Sequence, residues 1–265
     1  MSDLETSQFL LRQFNLTTMA QELEVVQQKS QSEGWSFGRS LRELLEMESY
    51  ARDTRRLERL LKDSGLPEGK SLASLDTREL STANRRRLSE LCEGHFTERA
   101  VNVLAFGLPG RGKTHFLSAI GYELIQRQRK RVLFTPSYRL IQRLLTAKQE
   151  LRLDAELNKL LRYEVIILDD LGYVKQSREE MEVLFTFFAE RYERGSVMIS
   201  SNLVFSKWDQ IFQDPMTAMA AVDRLVHHSV LLEFDGKSHR AQKGSKSKEE
   251  AVNQELQATQ NNQGK

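Results

Sequence analysis

The sequence predicts an α/β protein in which helices cover a parallel sheet and a small all-helical domain precedes it. Short β-rich runs alternate with helical segments between residues 81 and 234, a pattern typical of a parallel sheet covered on both faces. Residues 1–64 contain no proline and show only helical periodicity. A glycine-rich loop, GLPGRGKT at residues 107–114, lies between an expected strand and an expected helix.

The chain is expected to divide into four regions. Residues 1–64 form the helical domain, with a long second helix from Ser36 to Lys62. Residues 65–80 contain two glycines and a proline, which predicts a linker. Residues 81–240 form the α/β domain, and residues 241–265 are polar and basic, which predicts a disordered tail.

Five strands and four helical segments are expected within the α/β domain. The strands are apolar runs bounded by turn residues, and the helices between them show a period of three to four. The expected strands are 101–106, 131–136, 164–170, 196–202 and 230–234. The expected helical segments are 114–126, 137–161 in one or two pieces, 178–194 and 218–227.

Composition indicates a cytoplasmic protein. The sequence contains no apolar stretch long enough to cross a membrane, and its first residues lack the pattern of a secretory signal. The single cysteine excludes an intramolecular disulfide framework and a cysteine-rich zinc site. The net charge is only +2, although basic residues cluster locally.

The loop GLPGRGKT predicts a site for nucleotide phosphates. Its glycines let the backbone wrap around an anion, and Lys113 adds a charge that reaches the β- and γ-phosphates. Thr114 is a candidate Mg²⁺ ligand, and the positive end of the following helix favours the phosphates. The residues expected to contact ATP in this segment are Gly107, Leu108, Pro109, Gly110, Arg111, Gly112, Lys113, Thr114 and His115.

Polar side chains end the two strands expected at 164–170 and 196–202. In VIILDD, Asp169 is a candidate for direct or water-mediated contact with Mg²⁺, and Asp170 is a candidate for orienting or deprotonating the attacking water. Asn202 is a candidate for holding the lytic water or sensing the γ-phosphate. Two solvated acids and an ordinary turn sequence are the alternative interpretations of these strand ends.

Arg224, in VDRLVHHS, is a candidate arginine finger that would neutralise charge on a γ-phosphate across a subunit boundary. A salt bridge on the surface of a helix is the alternative interpretation of a lone arginine.

Together, GLPGRGKTHF, VIILDDLGYV, ERYERGSVMISSNLVFSKWDQIF and VDRLVHHSVLLEFDGKSHR resemble the IstB family over about residues 39–240. That family consists of helper ATPases of insertion-sequence transposition, related to the DnaC-type helicase loaders. The resemblance implies an AAA+ ATPase fold without a large lid domain, and it assigns Arg224 to the arginine finger and Arg240 to a second sensor. Asp170 stands where many AAA+ proteins have glutamate, and the shorter carboxylate puts fast catalysis in doubt.

The resemblance also implies ATP-dependent self-assembly on duplex DNA, into a ring or spiral, and a transposase partner of the IstA type. The helical domain would then contact DNA or a partner, and the protein would be associated with the bacterial nucleoid. ATP and Mg²⁺ are the implied cofactors, with slow hydrolysis that DNA or the partner stimulates.

Basic residues in two regions are candidates for contact with DNA phosphates. Four arginines share one face of the long helix, and others lie between and just after the nucleotide motifs; solvated basic faces are the alternative. Since no base-reading motif is visible, binding is expected to be largely independent of DNA sequence. The candidates are Arg52, Arg55, Arg56, Arg59, Arg139, Arg143, Lys148, Arg152 and Lys175.

Two other functions remain open at the level of sequence. A replicative helicase loader would act on single-stranded DNA. It would often carry a distinct helicase-binding amino-terminal region, sometimes with a zinc site, for which this chain has no cysteine cluster. A nucleotide-gated structural adaptor would bind ATP with negligible turnover. Hydrolysis that depends on Asp170 distinguishes an ATPase from the adaptor.

Overall fold

The protein divides into two compact units, residues 1–60 and 61–265. The structure, a computed structural model, describes residues 2–172, 177–203 and 225–235. The first unit is all-helical in its described part, and the second is α/β. The α/β fold predicted from the alternation of strands and helices is confirmed.

The smaller unit consists of α1 (Asp3–Gln13), α2 (Thr17–Glu33) and most of α3 (Phe37–Ser64). Its buried core is small and contains Met19, Val26 and Leu44. A unit of this size buries little apolar surface, so polar contacts between its helices make a large relative contribution to its stability.

A buried carboxylate joins α2 to α3. The residue before α2 makes no side-chain cap, and Glu48 of α3 instead accepts hydrogen bonds from the backbone N–H groups of Thr18 (2.7 Å) and Met19 (3.0 Å). Arg52 Nε lies 2.8 Å from Glu48 Oε1 and Arg55 NH2 lies 3.5 Å from it. Burial opposes ionisation, but these hydrogen bonds outweigh it and lower the pKa of Glu48 below its ordinary value.

The described strands of the larger unit form one parallel sheet in the order β2-β3-β4-β1-β5. Each predicted strand is present within two residues of its expected ends, because each is an apolar run between turn residues. The strands are β1 (Asn102–Phe106), β2 (Val132–Pro136), β3 (Val165–Leu171), β4 (Ser196–Ser201) and β5 (Ser229–Glu233).

Helices connect these strands and bury apolar faces against the sheet. The segment expected at 137–161 is two helices, and most of the helix expected at 218–227 lies outside the described residues. The helices are α4 (Thr82–Cys92), α5 (Lys113–Gln128), α6 (Ser137–Gln149), α7 (Leu153–Leu160) and α8 (Arg178–Arg191). Among the described helices, none combines the length and the apolar character needed to cross a membrane.

Residues 65–80, expected as a linker, belong to the larger unit and contain two short 3-10 helices. Leu66 is buried, and its side chain packs where a Cβ on Gly121 of α5 would lie. Tyr122 donates its hydroxyl hydrogen to the carbonyl of Pro67 at 3.2 Å. The beginning of this segment is therefore anchored on α5.

Cys92, the last residue of α4, is buried. Burial raises the pKa of its thiol to about 11, because the thiolate loses its hydration.

Arg191, at the end of α8, joins the amino-terminal ends of two strands. Its guanidinium is almost fully buried and donates to the backbone carbonyls of Leu160, Tyr163, Glu164 and Ser196 at 2.6–3.2 Å. Burial lowers the pKa of Arg191 to about 10, so the group is still charged at neutral pH. Because the charged, planar guanidinium donates to several backbone carbonyls at once, it fixes the positions at which β3 and β4 begin.

We expect Arg191→Lys to lower the free energy of unfolding by about 2–4 kcal/mol, because a single ammonium cannot replace the planar fork and leaves buried carbonyls unsatisfied. Arg194→Lys is the matched control, since Arg194 is exposed and pairs with Glu190 four residues earlier. Urea denaturation measures both variants. Equal stability of the two variants would contradict the structural role of Arg191.

Candidate functional site

The candidate site lies at the carboxyl-terminal edge of the sheet, where β4 separates β1 from β3. In the parallel register, Phe106 of β1 pairs with Ser201 of β4, so the loop after β1 and the residue after β4 are adjacent. Leu168 of β3 pairs with Ile199, which places the acidic end of β3 on the other side of β4. The edge is the usual position of ligand sites in open parallel sheets.

The glycines of the loop adopt backbone conformations that other residues rarely take. Gly107, Gly110 and Gly112 have φ values of 143°, 79° and 87°. A Cβ on Gly107 would also lie 2.3 Å from the carbonyl oxygen of Phe234, which follows β5. Glycine is therefore required at 107 both for the turn and for the close approach of β5.

Lys113, the first residue of α5, is 4% exposed although its side chain is cationic. Its Nζ donates to the carbonyl oxygens of Gly107 (2.5 Å) and Leu108 (3.0 Å) and to Asn202 Oδ1 (2.8 Å). These oxygens offset the cost of burying the ammonium and hold it inside the loop. The structure thus brings Asn202 to the phosphate loop, as the order of motifs predicts.

Thr114 and Asp169 also lie side by side. Thr114 donates its hydroxyl hydrogen to Asp169 Oδ1 at 2.8 Å. Hydroxyl and carboxylate oxygens are the hard ligands that Mg²⁺ prefers, and the cation usually keeps several waters when it binds with substrate phosphates. The two side chains predicted as Mg²⁺ ligands are therefore close enough to serve one ion.

Asp170 lies next to Asp169 in an unusual backbone conformation. It is exposed and has a positive φ of 57°, at an irregularity in the pairing of β3 with β4. Ser137 donates its hydroxyl hydrogen to the carbonyl of Asp170 at 3.1 Å, and Ser200 accepts from the N–H of Asp170 at 2.9 Å. Neither serine was predicted to take part in the site, because a hydroxyl at a strand end carries little signal of its own.

The remaining loop residues differ in exposure. Leu108 and Pro109 are exposed, and Arg111 is half-buried. His115 Nε2 lies 3.1 Å from both the carbonyl of Ser71 and the hydroxyl of Ser74. The imidazole thus contacts the segment that precedes the α/β domain.

Three predicted residues, Lys175, Arg224 and Arg240, lie outside the described part of the chain. Leu225, which directly follows Arg224, is described and buried. Its carbonyl accepts a hydrogen bond from Asn102 Nδ2 at 3.1 Å, at the amino-terminal end of β1.

Most of the described basic residues proposed for DNA contact make internal hydrogen bonds or ion pairs. In the smaller unit, Arg52 and Arg55 contact Glu48, and Arg59 donates to the backbone carbonyl of Arg55 at 3.3 Å. These three arginines and Arg56 are all exposed. In the larger unit, three residues pair with carboxylates: Arg143 with Glu156, Lys148 with Glu182, and Arg152 with Glu150.

Arg139 differs from these residues. It is exposed, its Nε donates to the hydroxyl of Tyr138 at 3.1 Å, and its guanidinium lies 5.9 Å from the centre of that ring. Within the described ranges, no carboxylate forms an ion pair with Arg139.

Comparison with known proteins assigns the chain to a family of ATP-binding proteins. The sequence matches the family of IstB-like ATP binding proteins over residues 9–247. The chain belongs to this family. An insertion sequence ATP-binding protein of Sinorhizobium fredii is 38% identical over 222 residues, covering 83% of this chain and 74% of the relative. The ATP-binding protein of insertion sequence IS21 from Pseudomonas aeruginosa is 36% identical, covering 87% of each chain.

Solved structures confirm the fold of this IstB-like chain. The DnaC helicase loader superposes with a TM-score of 0.50 and 21% identity, covering 60% of this chain and 95% of the loader. The replication initiator DnaA, bound to AMPPCP and single-stranded DNA, superposes with a TM-score of 0.55 and 18% identity, covering 65% of this chain and 52% of the initiator. At these low sequence identities, the similarity shows only that the chains share the AAA+ fold.

We expect Lys113→Ala to weaken ATP binding by at least about 100-fold, because it removes the only side-chain cation predicted to reach the β- and γ-phosphates within this loop. Calorimetric titration with ATP measures the change, and the melting temperature reports whether the variant is folded. Lys130→Ala is the control, since Lys130 pairs with Glu164 near the opposite edge of the sheet. ATP binding by folded Lys113→Ala with unchanged affinity would refute this placement of the site.

Proposed function

We propose that this protein is an ATP-dependent, DNA-binding regulator of transposition that assembles on duplex target DNA and recruits or stimulates its transposase. The observation that carries the ATPase part is the convergence of Lys113, Asp169, Asp170 and Asn202 at one edge of the sheet. The relatives are ATP-binding proteins of insertion sequences, which supports the role in transposition.

The residues at the sheet edge support binding of ATP together with Mg²⁺. The loop backbone and Lys113 would hold the phosphates, and Thr114 and Asp169 would hold the ion. Bound Mg²⁺ supplies positive charge that stabilises the phosphate oxygens during transfer. Arg240 is proposed as a further contact to the nucleotide, by its match to the family's second sensor.

Hydrolysis requires a group that orients the attacking water. Asp170 is exposed and directly follows Asp169, which contacts Thr114, and it is proposed to accept a proton from that water as it attacks the γ-phosphate. Asn202, whose Oδ1 contacts Lys113, is close enough to the same centre to fix the water or the phosphate. The products are ADP and inorganic phosphate.

The arginine finger is proposed to act between subunits. By its place in VDRLVHHS, Arg224 matches the finger of the family, and a guanidinium that reaches a γ-phosphate across a subunit boundary neutralises charge that develops in the transition state. We infer that Arg224 serves the nucleotide of a neighbouring subunit in a ring or spiral.

Arg139 is the proposed DNA contact that the structure supports most directly in the larger unit. Its neighbours Arg143, Lys148 and Arg152 each pair with a carboxylate, and Arg143 is held most firmly because its partner Glu156 is largely buried. Arg139 instead lies over an exposed tyrosine. Arg56, Arg59 and Lys175 remain further proposed contacts to the DNA backbone.

We expect Asp170→Ala to bind ATP but to lose DNA-stimulated hydrolysis, by about 100-fold or more, because no base remains to orient the water. We expect Arg224→Ala to bind ATP and to hydrolyse it slowly for a different reason, the loss of the finger. Mixing the two variants should then restore part of the activity, since a mixed interface can combine an intact Asp170 with an intact Arg224. Phosphate release measures turnover.

Two results would contradict this scheme. Equal turnover by wild type and Asp170→Ala would favour the nucleotide-gated adaptor, which functions through ATP binding without hydrolysis. Mixtures that hydrolyse no faster than the separate variants would place the finger elsewhere or within the same subunit.

We expect Arg139→Ala to weaken binding to duplex DNA and to reduce the salt dependence of binding by about one phosphate contact per subunit. Arg143→Ala is the matched control, because Arg143 lies one turn later on α6 but pairs with Glu156. Fluorescence anisotropy at several salt concentrations, with ATP present, measures both. A larger loss for Arg143→Ala than for Arg139→Ala would contradict the assignment.

A further inference from the structure

The two acids of the site lie in a β-bulge. Leu168 of β3 pairs with Ile199 of β4, and the next paired positions are Leu171 and Ser201. Two residues of β3, Asp169 and Asp170, thus oppose a single residue of β4, Ser200. A bulge of this kind interrupts the regular ladder and redirects the side chains beside it.

The hydroxyl of Ser200 bridges the two acids. It donates its hydrogen to Asp169 Oδ1 at 2.5 Å and accepts a hydrogen bond from the backbone N–H of Asp170 at 2.9 Å. Ser200 has no exposed surface, so water does not compete for either bond. One buried side chain therefore holds the carboxylate of the first acid and the backbone of the second.

The Ser200 hydroxyl helps to hold Asp170 in the unfavourable backbone conformation that it adopts in the bulge. Asp170 has a positive φ, a conformation that costs energy in a non-glycine residue and persists only where its surroundings hold it. On the opposite side, Ser137 donates to the carbonyl of Asp170. The peptide groups of Asp170 are thus held from α6 and from β4, and Ser200 alone of the two serines also contacts Asp169.

We propose that Ser200 is a positioning residue of the ATPase site: its hydroxyl fixes the bulge so that Asp169 faces Thr114 and Asp170 projects at the edge of the sheet. The proposal rests on the proposed function, because it assigns Ser200 a role in Mg²⁺-dependent nucleotide binding and in hydrolysis. Removing a group that orients a metal ligand typically weakens metal binding or activity by about 10- to 100-fold.

Ser201 provides a matched control. It is the next residue of β4, equally buried, and its hydroxyl also makes two backbone hydrogen bonds, to the carbonyl of Leu171 (2.8 Å) and from the N–H of Leu203 (3.2 Å). In the described structure, its hydroxyl contacts Leu171 and Leu203 rather than Asp169 or Asp170. Ser201→Ala thus removes a comparable hydroxyl from the same strand without removing a contact to either acid.

The experiment compares wild type, Ser200→Ala, Ser200→Thr and Ser201→Ala in the full-length protein. Affinity for the fluorescent analogue mant-ATP is measured in EDTA and over a Mg²⁺ titration. Steady-state hydrolysis separates kcat from KM. Amide hydrogen exchange of the peptide that covers residues 165–172 reports the bulge directly, and thermal melting reports overall stability.

We expect Ser200→Ala to raise the Mg²⁺ concentration required for half-maximal mant-ATP binding about 10-fold, with affinity in EDTA unchanged. Its kcat should fall about 10- to 100-fold with little change in KM, and exchange in residues 165–172 should become faster. Ser200→Thr retains a hydroxyl and should restore most of the Mg²⁺ dependence. Ser201→Ala should remain close to wild type in Mg²⁺ dependence and kcat, even if its melting temperature falls.

Wild-type Mg²⁺ dependence and kcat in folded Ser200→Ala would overturn the proposal. Equal losses in Ser200→Ala and Ser201→Ala would also overturn it, because they would assign the effect to the stability of β4. If wild type binds mant-ATP with Mg²⁺ but shows no turnover, the proposed hydrolysis fails, while the Mg²⁺ titration and the exchange rates still decide the role of Ser200.

Discussion

The hydrogen bond from Lys113 Nζ to Asn202 Oδ1 joins two residues that are 89 positions apart in the chain. It forms because β4 pairs directly with β1, so that the residue after β4 lies beside the loop after β1. The pairing of β4 with β3 brings Ser200 to Asp169 in the same way. Because side chains alternate along a strand, a shift of β4 by one residue would turn these polar groups to the wrong face.

The local elements of the fold could be predicted from the sequence because their signals are local. The strand VIILDD is a buried apolar run with an acidic end, and GLPGRGKT requires glycine conformations that its residues supply. The strand order could not be predicted, since nothing local states that β4 lies between β1 and β3. The bulge at Asp170 could not be predicted either, because it depends on how many residues of β3 and of β4 lie between two paired positions.

The candidate DNA contacts show a second limit of sequence reasoning. The spacing of Arg52 and Arg55 places them on one face of α3, but their partner Glu48 is set by its role as a cap for α2. Arg143 and Lys148 on α6 meet carboxylates that come from α7 and α8. A basic residue is available to DNA only where tertiary structure leaves it without a nearby acid, and that condition depends on the packing of several helices.

The burial of Cys92 has a practical consequence for testing the proposed self-assembly. Cys92 is the only cysteine in the chain, and with a pKa of about 11 it holds about one ten-thousandth of its thiol as the reactive thiolate at neutral pH. Maleimide dyes should therefore attach almost exclusively to a cysteine introduced at an exposed position. Energy transfer between two dye populations can then test whether copies of the chain associate on DNA, without first removing the native thiol.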